Sequence, residues 1–150
     1  MPIIRQRIQT TLPVDDAFAF VADFANAARW DPGTVTSERV DSGPVGEGAR
    51  FQLGVRMAGR TAPMEYRITT FDVPRRVVLH GAGSGVSAVD DIRFEGNPTG
   101  TTIEYTADIR LTGLLRLVQP FAGRAFAAIG RDAAAGMDKA LAELAANKQP

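Results

Sequence analysis

The stretch that most restricts the fold is the last third of the chain, Leu114 to Ala146, which reads LLRLVQPFAGRAFAAIGRDAAAGMDKALAELAA. With Pro120 in a first helical turn, where a missing N–H leaves no bond unmade, nothing after it interrupts one long helix. Phe126, Ile129, Ala133, Met137, Ala140, Leu141 and Leu144 recur at steps of three and four. Arg124, Arg131, Asp132, Lys139 and Glu143 mostly fall elsewhere on the wheel, so the helix has one apolar side and needs a layer to lie against.

The preceding residues supply that layer. Pro2 to Thr11 alternates loosely, with Ile4 and Ile8 on one side and Arg5, Arg7 and Gln9 on the other, which predicts a first strand stopped by Pro13. Asp15 and Asp16 suit the first turn of a short helix running to Ala22, and Asp23 can cap a second over Phe24 to Arg29. Trp30-Asp31-Pro32 ends it, because a residue before proline is pushed out of the helical region. From Thr34 the period becomes two, with turns at Ser42-Gly43-Pro44, Gly59, Val73-Pro74, Gly83-Ser84-Gly85 and Gly96 to Gly100. Six strands fit between them. Phe51, Leu53, Val55 and Met57 share one face, as do Met64, Tyr66 and Ile68, and as do Ile103, Tyr105, Ala107, Ile109 and Leu111. Short connections imply antiparallel neighbours, so the expected class is α+β: seven antiparallel strands, two short helices after the first, and a long terminal helix.

Composition removes several functions. The 150 residues suit one domain, and no linker divides 1–150. A formal net charge of zero gives no electrostatic footprint for nucleic acid. No cysteine and a single histidine argue against a zinc site or any other metal centre, and no cofactor is expected. No basic segment followed by an apolar one opens the chain, and no run approaches the roughly 18 apolar residues of a spanning helix, so a soluble cytoplasmic protein is expected.

The order of elements, with FVADFANAARWDP from Phe20 to Pro32, GEGARF from Gly46 to Phe51, GTTIEYTADIRLTG from Gly100 to Gly113 and the terminal helix, resembles the helix-grip proteins of the START and Bet v 1-like superfamily (SRPBCC). The likeness extends over essentially the whole chain and is strongest to the bacterial polyketide cyclase/dehydrase and lipid-transport branch. It implies a curved sheet wrapped around the terminal helix, with a cavity between them for a hydrophobic ligand of lipid, polyketide or aromatic type. Carriers, sensors, cyclases and partner-binding members share the fold, so it leaves the chemistry open. GAGSG at Gly81 to Gly85 is not the glycine-rich loop of the plant allergen branch; lying between two strands with no helix after it, it reads as a hairpin and not a phosphate cradle. The cysteine ligands of iron–sulfur oxygenases that share the fold are absent.

Candidate site residues follow from parity. Gly130, Ala133, Gly136 and Ala140 lie on the side of Ile129 and Met137; helical glycines facing a sheet mean either close backbone approach or space kept for a guest, and the resemblance favours the guest. Asp90 shares the apolar parity of Ala88, Ile92 and Phe94, which aims a carboxylate at the cavity unless a bulge after Gly85 turns it outward. His80 lies in a strand too irregular to assign its face. Asp90 with Tyr105, Tyr66 or His80 would form a proton-transfer set for cyclisation or dehydration without metal or nucleotide. The expected lining is Trp30, Phe51, Leu53, Val55, Met57, Met64, Tyr66, Ile68, Asp90, Ile92, Tyr105, Ala107, Ile109, Phe126, Gly130 and Met137. Trp30 is placed by the resemblance beside the cavity mouth. The arginines at 50, 56, 60 and 67 read as a solvated outer face with Glu65 and Asp72. Leu114, Leu115, Leu117, Val118 and Phe121 are expected to cover the cavity end, the alternative being contact with a membrane surface or a protein partner. The partner expected overall is a hydrophobic small molecule, with a homodimer left open.

Overall fold

The computed structural model describes residues 3–57 and 59–148; Pro2, expected to open the first strand, lies outside them. The described chain runs β1 (Ile3–Thr10), α1 (Val14–Ala22), a 3₁₀ turn (Phe24–Asn26), α2 (Ala27–Trp30), β2 (Thr34–Arg39), β3 (Arg50–Met57), β4 (Arg60–Asp72), β5 (Arg76–Gly83), β6 (Val86–Asn97) and β7 (Gly100–Leu111), then a 3₁₀ segment (Gly113–Phe121) and α3 (Gly123–Lys148). The strands form one antiparallel sheet in the order β1-β7-β6-β5-β4-β3-β2, a meander whose last strand returns to pair with the first. Its curled shape around α3 is the helix-grip architecture.

Alternation selects the inner face. Ile4 and Ile8 are buried on β1 while Arg5 and Arg7 are exposed, and Ala88, Asp90, Ile92 and Phe94 are buried in turn along β6. Phe51, Ile68, Val77, Leu79, Ile92 and Ile103 are the innermost sheet residues, each losing essentially all its solvent contact. Full burial of such a side chain is worth roughly 1.5–3 kcal/mol. The outer face carries ion pairs: Arg50 with Glu65, Arg76 and Arg93 with Asp91, and Arg75 with Asp72. The GAGSG segment is a hairpin, its turn made by Ser84 (φ 56°) and Gly85 (φ 78°) between β5 and β6. Both turn residues adopt the left-handed conformation that two-residue hairpins require.

The first small helix has the expected place, and the second is divided. The Asp23 carboxylate accepts from Ala25 N–H at 3.0 Å, which caps the 3₁₀ turn; α2 then holds only Ala27–Trp30. Ser37 on β2 fixes this pair to the sheet by donating to the Ala25 carbonyl and accepting from Ala28 N–H.

The expected single helix from Leu114 is broken. Pro120 lies within the 3₁₀ segment rather than in the first turn of α3, which begins at Gly123. The segment is instead tied to the end of β7 through the Gln119 side chain: Leu111 N–H donates to Gln119 Oε1 at 3.0 Å and Gln119 Nε2 donates to the Ile109 carbonyl at 3.4 Å. Its apolar residues do not cover the cavity end as expected, because Leu114, Leu117, Val118 and Phe121 are exposed. Among the described residues, no helix is long and apolar enough to cross a membrane.

Helix α3 approaches β1 and α2 most closely, and its two inward glycines lie at those approaches. A Cβ on Gly130 would sit 2.2 Å from Ile4 Cγ2, and one on Gly136 would sit 1.9 Å from the Trp30 carbonyl oxygen. The glycines therefore serve close packing; the expectation that Gly136 keeps space for a guest is corrected, because the backbone of α2 fills that space. Met137 and Leu141, which follow them on the helix, are completely buried.

Candidate functional site

Between the two anchor points of α3 the sheet and helix separate and enclose a cavity of about 90 Å³. Its walls include Ile4, Gln6 and Ile8 of β1, Ala88 and Asp90 of β6, Tyr105, Ala107 and Ile109 of β7, and Ile129, Gly130, Ala133, Ala134 and Met137 of α3. A second chamber of about 160 Å³ adjoins it and shares Asp31, Tyr66, Ala88, Ile109 and Ile129. Val55, Met57, Met64, Val86, Leu111 and Phe126 complete most of its wall, and the exposed Arg56 stands at its rim.

Asp90 faces inward, as parity predicts, and is 5% exposed. Strand β6 pairs it with Ala107 of β7, which brings Tyr105, two residues earlier on the same face of β7, within diagonal reach. The Tyr105 hydroxyl donates to Asp90 Oδ2 at 2.5 Å, and it is the one hydrogen-bond partner of that carboxyl among the described residues. Burial pushes the Asp90 carboxyl up to about 7; the Tyr105 hydroxyl opposes the shift and the charge of Asp31 adds to it. Burial likewise holds the Tyr66 and Tyr105 phenols well above their ordinary range, with the Asp90 charge acting in the same direction, so both are neutral donors at physiological pH.

Tyr66 reaches the site because the neighbouring strands lack bulk there. Its β5 partner is Gly81, where a Cβ would stand 2.4 Å from the Tyr66 ring, and the next residue across is Ala88. The ring therefore occupies the space above Gly81. Phe24 packs on Tyr66 at 5.4 Å and on Trp30 at 5.9 Å, and Trp30 meets the Tyr105 ring edge-on at 6.0 Å. This aromatic group joins the small helices to the two phenols. Trp30 Nε1 is buried without a hydrogen-bond partner among the described residues.

Asp31 is the site residue that the sequence reading missed, because the string WDP was read only as a helix terminator. Its carboxylate accepts from Gly33 N–H and from the Thr34 hydroxyl, each at 2.9 Å, so the turn after α2 aims it at both chambers. Burial raises its pKa against those two bonds, and Asp132 raises it further. The available signal was the spacing D-x-G-T, in which an Asp can accept from the residue two ahead. Gln6, the alternating inward partner of Ile4 and Ile8, was also missed.

Of the predicted lining, Tyr66, Asp90, Tyr105, Ala107, Ile109, Gly130 and Met137 stand on the inner walls, and Val55, Met57, Met64 and Phe126 on the outer ones. Phe51, Leu53, Ile68 and Ile92 do not line either chamber; they share the inward parity but are covered by the small helices and by one another. Trp30 also stands apart from the chamber walls, between the aromatic group and a surface groove formed with α3. His80 is removed from the proton-transfer set: it is exposed on the outer face, opposite Arg67 and Val89. Among the described residues no three His, Asp or Glu side chains are grouped so as to hold a metal ion.

Solved structures with this fold include a START superfamily protein from Mycobacterium smegmatis, with a TM-score of 0.79 at 11% identity over 95% of this chain and 98% of that one. The Zhui aromatase/cyclase from Streptomyces sp. R1128 aligns with a TM-score of 0.75 at 17% identity, over 97% of this chain and 94% of that one. The di-domain ARO/CYC BexL of the BE-7585A biosynthetic pathway aligns with a TM-score of 0.74 at 22% identity, over 98% of this chain and 48% of that one. Comparison with curated proteins finds no match. These likenesses establish the fold, and a family profile extends over nearly the whole sequence, from residue 1 to residue 147. The chain belongs to the polyketide cyclase / dehydrase and lipid transport family.

Proposed function

We propose that the chain binds a small or medium-sized hydrophobic molecule between its sheet and α3, oriented by a polar end that donates a hydrogen bond to Asp90. The observation that carries this reading is the Asp90 carboxyl itself, set in mostly apolar walls with Tyr105 as its one hydrogen-bond partner among the described residues. A buried carboxyl is expensive to keep unless another group uses it. Size narrows the ligand. An apolar cavity of roughly 150 Å³ accepts benzene, so chambers of about 90 and 160 Å³ suit one or two rings or a short chain spanning both. Charge narrows it further. The inner walls carry Asp31 and Asp90 and no Lys, Arg or His, so they favour a neutral hydroxyl, amide or amine over a carboxylate.

Native mass spectrometry and solvent extraction of the mildly purified full chain test the proposal, followed by displacement of an environment-sensitive apolar dye. Phenols and aromatic amines, which are neutral at pH 8, should displace it, and fatty-acid anions at the same pH should not. A protein with no co-purifying and no titratable apolar ligand would sink the reading.

The short Tyr105–Asp90 bond supports a second reading, proton transfer in cyclisation or dehydration of a polyketide-like or aromatic substrate. A carboxyl near 7 can take and return a proton near neutrality, while a neutral phenol can polarise a carbonyl. If Asp90→Asn and Tyr105→Phe both left turnover of a confirmed substrate unchanged, this reading would fail and simple binding would stand.

A further inference from the structure

The 3₁₀ segment Gly113–Phe121 is unexplained by the cavity. Leu114, Leu117, Val118 and Phe121 are 87, 76, 50 and 84% exposed, whereas the exposed large apolar residues elsewhere, such as Ile3, Val35, Val40 and Val73, are scattered singly. Scattered apolar residues are ordinary on a surface; a cluster within eight positions is not. The segment is held in place. Gln119 spans the Leu111 amide and the Ile109 carbonyl, Thr112 N–H donates to the Gly85 carbonyl at 2.8 Å, and Leu115 packs so closely over the β5–β6 turn that a Cβ on Gly85 would lie 2.5 Å from its Cδ1. The outward side chains therefore project from a fixed support.

Charge identifies the occupant. From Ile109 to Arg131 the chain contains Arg110, Arg116, Arg124 and Arg131 and no Asp or Glu, in a protein of zero net charge. Arg110 is paired with Asp108 at 3.3 Å; Arg116, Arg124 and Arg131 are exposed and have no acidic partner among the described residues. Apolar side chains flanked by unpaired cations match the headgroup boundary of an anionic bilayer, where the apolar groups enter and the cations meet lipid phosphates. The position is also informative: Leu111 precedes the segment and Phe126 and Ile129 follow it, and all three stand on the outer chamber wall.

We propose that this segment is a membrane-docking surface that seats the outer chamber against an anionic lipid bilayer. This does not depend on the identity of the cavity ligand, or on there being one.

Flotation of the full chain with vesicles of phosphatidylcholine containing about 30% phosphatidylglycerol, and with phosphatidylcholine alone, tests it. The protein should float with the anionic vesicles only, and binding should weaken as salt is raised. Leu117→Ser combined with Phe121→Ser should lower the bound fraction about tenfold, and Arg116→Gln combined with Arg124→Gln should remove the preference for anionic lipid. All four side chains are exposed, so the variants should keep wild-type circular dichroism and melting; Val73→Ser, on the β4–β5 turn, should float like the wild type. Absence of flotation with anionic vesicles, or flotation unchanged in both double variants, would overturn the proposal. So would a wild-type dimer on size exclusion that does not float and that Phe121→Ser makes monomeric, since the face would then belong to a second copy of the chain.

Discussion

Replacing Asp90 by Asn should stabilise the protein, and by an amount that grows with pH. Asn is nearly isosteric and its Oδ1 can still accept from the Tyr105 hydroxyl, so the substitution removes a charge and little else. The Asp90 carboxyl goes from an ordinary 3.8 to about 7 in the fold. A raised carboxyl pKa means that the folded chain holds the proton where the unfolded one has released it. Well below pH 3.8 both states are protonated and burial of the group adds no pH-dependent penalty. From there to pH 7 stability falls with rising pH, and above pH 7 the penalty is complete, at about 4 kcal/mol for a factor of roughly a thousand in proton affinity. Between pH 5 and pH 8 the advantage of Asp90→Asn over wild type should therefore widen by roughly 3 kcal/mol. At about 2–4 °C per kcal/mol for a chain of this size, that is about 6–12 °C in melting temperature. Most other titrations cancel in the difference. Of the groups facing Asp90, Tyr66 and Tyr105 stay neutral over this range, the α3 wall of Gly130, Ala133, Ala134 and Met137 is uncharged, and the Asp31 charge acts in the same direction because it adds to the rise of Asp90. Urea melts of both proteins at several pH values measure the gap. A gap constant within about 0.5 kcal/mol from pH 5 to pH 8 would refute the buried-carboxyl argument.

Tyr105→Phe removes the bond that opposes the shift, so the Asp90 carboxyl should rise further, seen as a higher titration midpoint by carboxyl NMR. Gly136→Ala places a methyl against the Trp30 carbonyl and should cost about 1–3 kcal/mol by thermal melting, as overpacked sites do. His80→Ala, on the outer face, should change stability by less than about 0.5 kcal/mol and leave dye binding intact; a loss of binding would return His80 to the site. Ala88→Leu projects into the wall shared by both chambers and should lower dye binding more than tenfold on the size argument, with circular dichroism showing the fold retained.

The sheet was legible because alternation is a local property. Strands β3, β4, β6 and β7 bury mainly one parity, and the Gly, Pro and Ser punctuation falls at the turns, so antiparallel order and the inward aim of Asp90 followed without knowledge of distant contacts; β5, which buries Val77, Val78 and Leu79 in succession, is the exception. The terminal helix was less legible. Periodicity placed Met137 and Leu141 correctly, but no local signal distinguishes a proline in the first turn of α3 from one in a preceding 3₁₀ segment; the difference is made by Gln119 bonding to the end of β7. Parity also cannot separate a cavity wall from a packed core. Phe51 and Ile92 share the inward parity of Tyr66 and Asp90, and only the placement of the small helices over one end of the sheet decides which pair is covered.

The glycines of α3 show how that separation arises. Each lets the helix backbone approach one fixed point, Ile4 on the first strand and the Trp30 carbonyl at the end of α2. Two close contacts on one side set the helix axis, and between them Ala133 and Ala134 are too small to reach the sheet floor at Ala88 and Ala107. Small residues on both surfaces thus leave room that the anchors prevent from closing. Restoring one side chain at an anchor and one in the gap therefore has opposite meanings: the first moves the helix, the second fills the space it leaves. The two carboxyls look into that space from independent supports, Asp90 from the middle of β6 and Asp31 from the turn after α2. A change in the position of α2 would alter the distance between them without disturbing β6, so the electrostatics of the cavity are tied to the packing of Gly136 on Trp30.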